Sequence, residues 1–275
     1  MIRTVSFPVS TRTRWLRVFG MALLLVFFSY AVPAAQSQAQ SLAPQAPGQS
    51  PIQAYDDILH RYVKDGNVDY PGIATDRYFP AYLQYLAQTD ATTLTGHEQQ
   101  LAFWINAYNA LAIKGILDGY SPSSAFGKVR FFYLNKYSVG GQQINLYDLE
   151  HKILIPLKEP RIHFSIICAS RSCPKLRSEA YSADRLEQQL EESARQFIND
   201  PQRNRFDRAQ ETASLSRIFD WFEQDFAGQS GTVSRYIARY VTDAELAQTL
   251  KAGDYKIKYL TYDWSLNGTP PKAPE

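Results

Sequence analysis

Between His97 and Leu117 the chain reads HEQQLAFWINAYNALAIKGIL, and Gly119 and Pro122 follow as stop signals. The spacing predicts one long helix over 97–117. Leu101, Phe103, Trp104, Ile105, Leu111, Ile113 and Ile116 spread around most of its circumference. A helix apolar on most sides is buried, so other elements have to enclose it. Asn106 and Asn109 interrupt it, three residues apart and so on one face. A buried polar group without partners costs about 1–3 kcal/mol. Both carboxamides therefore need partners: either the backbone of a neighbouring loop, or a polar site that they line.

The remaining segments predict what does the enclosing. Apolar stripes predict helices over Ile52–Tyr62, Tyr78–Leu86, Ser182–Phe197, Leu215–Phe226, Ser234–Tyr240 and Asp243–Leu250. A short helix begins at Asn145, a good N-cap, and a hairpin is expected around Gly140-Gly141, with β-type residues over 129–133 and 137–146. Alternation over Tyr255–Tyr262 predicts a half-exposed strand, and Ile162–Cys168 reads as a strand apolar on both faces, hence central and covered. Helices outnumber strands without alternating regularly with them. The expected fold class is α+β: a mostly helical single domain around a small sheet, with its central buried strand near 162–168.

The N-terminus reads as an export signal over 1–35. Arg3, Arg12, Arg14 and Arg17 precede an apolar stretch from Val18 to Val32, and small residues follow at 32–35. An uncleaved anchor is the alternative, and membrane contact is expected only through it. The net charge of +2 includes those four arginines and no acid from 1–35, so the rest of the chain carries −2. That balance speaks against a nucleic-acid partner, which calls for a basic patch on the folded domain. Gln36–Pro51 reads as a disordered linker, 52–268 as the globular domain, and 269–275 as a frayed tail. The expected location is the periplasm or another exported compartment, with a small-molecule, peptide or envelope substrate as partner.

Several segments carry a resemblance: FWINAYNAL (103–111), LYDLEHKIL (146–154), RIHFSIICASRSCP (161–174), LSRIFDWFEQDF (215–226) and YLTYDWSLN (259–267). In this order they resemble the DUF547 family, a domain of unknown function found in bacteria and plants. The resemblance spans most of the chain after the leader and implies no reaction.

The chemistry has to be sought in the residues themselves. Cys173 is the leading candidate nucleophile, because Arg171, Lys175 and Arg177 surround it in sequence and positive charge favours a thiolate. Its base would be His151 or His163, oriented by Glu150, Asp148, Asn106 or Asn109. Distance counts against His163, since an extended strand from His163 to Cys168 would span roughly 16 Å. The resulting reading is a cysteine-dependent hydrolase or acyl transferase. Two alternatives stay open: a non-catalytic envelope module stapled by a Cys168–Cys173 disulfide, and a thiol-redox protein, although the spacing is C-x₄-C rather than C-x-x-C. The chain has no H-E-x-x-H, glycine-rich phosphate loop or G-x-S-x-G, so no cofactor or metal is expected.

Overall fold

The computed structural model describes residues 48–253 and 255–271. The export signal and most of the linker therefore lie outside the described residues. The helix His97–Leu117 forms as its composition requires, with an unbroken buried run from Leu101 to Ile113. Phe79–Gln88 packs beside it, and Pro51–Tyr62 packs on Phe79–Gln88 through the stacked rings of Tyr55 and Tyr82 at 4.1 Å. Ser50 caps the first of these by accepting from Gln53 N, with Pro51 in the first turn, where its missing N–H costs nothing.

The fold is mostly helical α+β, and its strands form three small sheets rather than one. Val63–Lys64 pairs antiparallel with Asn67–Asp69, which pairs parallel with Gly268–Thr269. Tyr137–Val139 and Gln142–Ile144 make the expected hairpin, with Gly140 and Gly141 both at positive φ in its turn. Arg205–Asp207, Thr212–Leu215 and Lys256–Tyr259 make the third sheet. Thus the late strand Lys256–Tyr259 belongs to one sheet and Gly268–Thr269 to another. The stretch 260–267 is strung between them, and it crosses the cysteine loop on the way. Arg171 N donates to Ser265 O, Ser172 N to Asp263 O, and Asn267 N to Ala169 O.

The buried central strand expected near 162–168 does not form. Pro160–Phe164 is a 3₁₀ turn, and 165–168 is irregular. The apolar run is buried all the same, because it lies on the seam between two hydrophobic clusters. Ile162, Ile166 and Ile167 face the one around the central helix, and Phe164 faces an aromatic cluster with Phe197, Phe219 and Phe226. What replaces the sheet ladder is a side chain: Asn109 Nδ2 donates to Ser165 O (3.0 Å) and Asn109 Oδ1 accepts from Ile167 N (2.9 Å). A carboxamide presents the same donor and acceptor as a peptide group, so the loop's buried backbone is satisfied without a neighbouring strand.

Two other expectations change for local reasons. Residues 129–133 are helical: Ser124 caps Ala125–Val129, which continues as the π turn Arg130–Leu134. The single stripe over 215–226 serves a strand end and two helices, Ile218–Trp221 and Glu223–Ser230, broken at Phe222.

Candidate active site

Cys168 leaves the seam at the head of a tight loop, and Ala169 next to it sits at φ +56°, a region that non-glycine residues seldom adopt. Several clamps hold this loop. Beyond the bonds from 263–267, the buried Arg203 guanidinium donates from Nε and Nη2 to Cys173 O (2.9 and 2.7 Å) and from Nη2 to Arg171 O (3.0 Å). Strain persists only where the surroundings over-determine it, and such places cluster at functional sites.

The clamped loop surrounds one sulfur with hydroxyls. Cys168 Sγ lies 3.0 Å from Ser170 Oγ and 3.1 Å from Tyr262 OH, while Cys168 N donates to Cys173 Sγ at 2.7 Å. Burial by itself would raise the Cys168 thiol. Hydrogen bonds from the side chains of Cys173, Ser170 and Tyr262, and from the Ser170 backbone, outweigh it and bring the thiol down to about 7. Cys173 goes the other way: burial, then its neighbour Cys168, pushes it well above an ordinary thiol. Both cysteines are free thiols, Cys168 partly exposed and Cys173 buried.

The geometry therefore shifts the candidate nucleophile from Cys173 to Cys168. Two of the three cations that singled out Cys173 in sequence are engaged elsewhere, and the third, Arg171, is exposed to solvent. Lys175 pairs with Asp65 (2.7 Å), and Arg177 pairs with Glu179 and Glu192. A cation already neutralised does little for a thiolate.

A second chain of groups approaches from the other side. Pro160–Phe164 carries His163, whose ring is buried and stacked on Phe222 at 3.9 Å. His163 Nε2 lies 2.8 Å from Asp225 Oδ2, and the hydrogen bond from His163 holds the Asp225 carboxyl below its usual value. An ionised carboxylate only accepts, so the proton sits on Nε2 and Nδ1 carries the lone pair. Burial lowers the His163 pKa and keeps the ring neutral. Among the described residues Nδ1 has no hydrogen-bond partner, and it lies 3.8 Å from Glu150 Oε1. Burial, then the charges of Cys168 and Asp225, lifts the Glu150 carboxyl up to about 8, so at neutral pH it is a proton donor.

Glu150 and His151 occupy the π turn Glu150–Leu154 that follows the helix Leu146–Leu149, capped by Asn145. The wider turn lets two sequence neighbours line one cavity, which an ordinary helix would set on different sides. His151 is held by Tyr147, with its Nδ1 3.0 Å from Tyr147 O and its ring stacked at 3.9 Å.

Glu150, His151, His163, Cys168 and Cys173 all line one cavity of about 270 Å³, walled by Tyr108, Tyr147, Trp221, Phe222, Tyr262 and Trp264. The distance argument against His163 fails because a 3₁₀ turn advances only about 2 Å per residue and then bends back. Asn106 and Asn109 stand outside this cavity. Asn106 clamps Tyr181, donating to its O (2.8 Å) and accepting from its N (2.9 Å), as Asn109 clamps the 165–167 backbone. Neither carboxamide is left to orient a histidine. Asp148 is paired with Lys152 at 3.0 Å.

Sequence reasoning missed Ser170, Tyr262 and Asp225. Ser170 lies in RIHFSIICASRSCP, Asp225 in DWFEQDF and Tyr262 in YLTYDW, but no spacing ties these segments together. Ser170 reaches the sulfur from two residues away within the loop, whereas only the crossing of 260–267 brings Tyr262 to it and only the break at Phe222 brings Asp225 to the imidazole.

Fold and site together define a mostly helical α+β protein with two thiols, two histidines and one carboxyl around an aromatic-walled cleft, and Asp225 behind one of the histidines. Residues 91–198, which hold the central helix, Glu150, His151, His163 and both cysteines, match the family described as Protein of unknown function, DUF547. No curated protein and no solved structure matches the chain.

Proposed function

We propose that the protein is an exported, cysteine-dependent acyl-transfer enzyme, a hydrolase or transferase, with Cys168 as nucleophile. The observation that carries this reading is the pairing, in one cleft, of a thiol lowered by contacts with Cys173, Ser170 and Tyr262 with a carboxyl that keeps its proton. Nucleophile and acid are then both in their working forms near neutrality. The Cys168 thiolate attacks an acyl carbonyl carbon, forming an S–C bond. The leaving group departs with the Glu150 proton, and His163, its Nε2–H held by Asp225, places its Nδ1 acceptor beside the protonated Glu150 carboxyl. Water or an acceptor hydroxyl or amine then attacks the thioester, giving up its proton to Glu150 and restoring the thiolate.

The test is a release assay with a chromogenic acyl ester on the wild type, Cys168→Ser and Cys173→Ser, with the acyl-enzyme located by mass spectrometry. A Cys168-linked acyl group, absent in Cys168→Ser and retained in Cys173→Ser, is the expected result. Turnover that survives Cys168→Ser ends the proposal.

The contact between Cys168 N and Cys173 Sγ favours a second reading, a thiol-redox pair. Exchange with glutathione disulfide would oxidise the two thiols to one disulfide and release two glutathione thiols. Exchange at a measurable potential, with no acyl-enzyme on either cysteine, would put this reading first.

A further inference from the structure

The stretch 119–147 holds Lys128, Arg130 and Lys136 and no aspartate or glutamate. Within it the helix Ala125–Val129 and the π turn Arg130–Leu134 turn an unusual face to solvent. Phe126 (69 %), Val129 (43 %), Tyr133 (48 %) and Leu134 (60 %) are exposed, at spacings that place them on one side. The opposite side is apolar too, with Phe131 buried in the core. A surface helix normally keeps its polar face outward, so an exposed apolar face beside a cationic one marks an interaction surface. Arg130 lies over the Tyr120 ring at 4.6 Å and Lys136 is exposed, so both are open to an anionic partner.

We propose that this face docks on the headgroup region of an anionic lipid bilayer. The apolar side chains would enter the interface and the cations would meet lipid phosphates. Charge complementarity selects this occupant: three cations flank exposed aromatic and aliphatic side chains over a stretch without an acid. The face is also continuous with the cleft. Tyr133 belongs to both, and the half-exposed Trp221 stands on the cleft wall. Docking therefore turns the cleft mouth toward the bilayer. It gives the folded part a membrane contact of its own, besides the one expected of the leader.

The test is sedimentation of the full chain with phosphatidylcholine vesicles, with and without phosphatidylglycerol. The leader contributes equally to every variant, so differences between variants report the face. The wild type should favour the phosphatidylglycerol vesicles and lose that preference as salt rises. Phe126→Ser with Leu134→Ser should weaken binding about tenfold or more on both vesicle types, and Arg130→Gln with Lys136→Gln should remove the anionic preference about as strongly. All four positions are exposed, so the unfolding midpoint should stay that of the wild type. Wild-type binding by both double variants would overturn the proposal. So would a concentration-dependent dimer that Phe126→Ser with Leu134→Ser abolishes, since a second copy would then cover the face. Cys168→Ser should bind vesicles like the wild type, which separates failure here from failure of the acyl-transfer reading.

Discussion

Glu150 ties the stability of the fold to pH. Its folded-state pKa of about 8 lies above the ordinary 4.5, so the folded protein keeps a proton that the unfolded chain has released. Stability is therefore fullest below about pH 4.5 on this account and is lost as pH rises through about 8. Glu150→Gln, which cannot ionise, should be more stable than the wild type at pH 8 by about 2–5 kcal/mol and no more stable near pH 4. Denaturant unfolding at the two pH values checks this, and an equal effect at both would contradict it. The same variant should lose the fall in acyl transfer on the alkaline side. Tyr262→Phe removes one hydroxyl from the Cys168 sulfur, so alkylation of Cys168 by iodoacetamide at pH 6 should slow about tenfold while Cys173 stays slow throughout. At this scale the sequence told the residue types well and their partners poorly. Two of the charges close to Cys173 in sequence, Lys175 and Arg177, are paired with Asp65, Glu179 and Glu192 in space, and one of the two hydroxyls on the neighbouring thiol is Tyr262, far along the chain.

Among the elements, the central helix was the most legible and 162–168 the least, and one residue accounts for both. Asn109 is legible as a buried polar residue that needs partners. That it would stand in for a β ladder, catching Ser165 O and Ile167 N, is a matter of three-dimensional register. An apolar run of that length fits a covered strand and an irregular core segment equally well by pattern. Asn109→Ala leaves two buried backbone groups unpaired and should cost about 2–4 kcal/mol by chemical denaturation. Asn106→Ala should cost a similar amount, since it clamps Tyr181 in the same way. The two should differ in the thiol: the 165–167 backbone leads directly into Cys168, so only Asn109→Ala should also broaden its alkylation pH profile. Equal profiles would mean that the loop is fixed by Arg203 and the late segment alone. The break at Phe222 was likewise hidden, because one apolar spacing served both Ile218–Trp221 and Glu223–Ser230. That break lays the Phe222 ring on His163 and brings Asp225 to its Nε2. Asp225→Asn should therefore slow acyl transfer about 10²–10⁴-fold with little change in stability, read from single-turnover rates beside a melting curve.

For the whole molecule, the fold class and the enclosure of the central helix followed from composition and periodicity, because burial is a property of each segment on its own. How the late segments return did not, since pairing between distant strands leaves no periodic trace in either partner. The return is what completes the site. Lys256–Tyr259 and Gly268–Thr269 fasten 260–267 at both ends, to sheets on either side of the cysteine loop. Ending the chain after Leu260 should lower the unfolding midpoint and abolish the selective alkylation of Cys168. A thiol that kept its low-pH reactivity in the shorter chain would show that Ser170 suffices.

Tyr262 reaches the Cys168 sulfur from 94 residues further along. At a synthesis rate of about 5–20 residues per second, the thiol emerges roughly 5–20 s before the phenol that tunes it. During that interval the nascent chain carries an ordinary, slow-reacting cysteine. On the acyl-transfer reading, the thiol would therefore become reactive only once the segment carrying Tyr262 has been made and has folded across the cysteine loop.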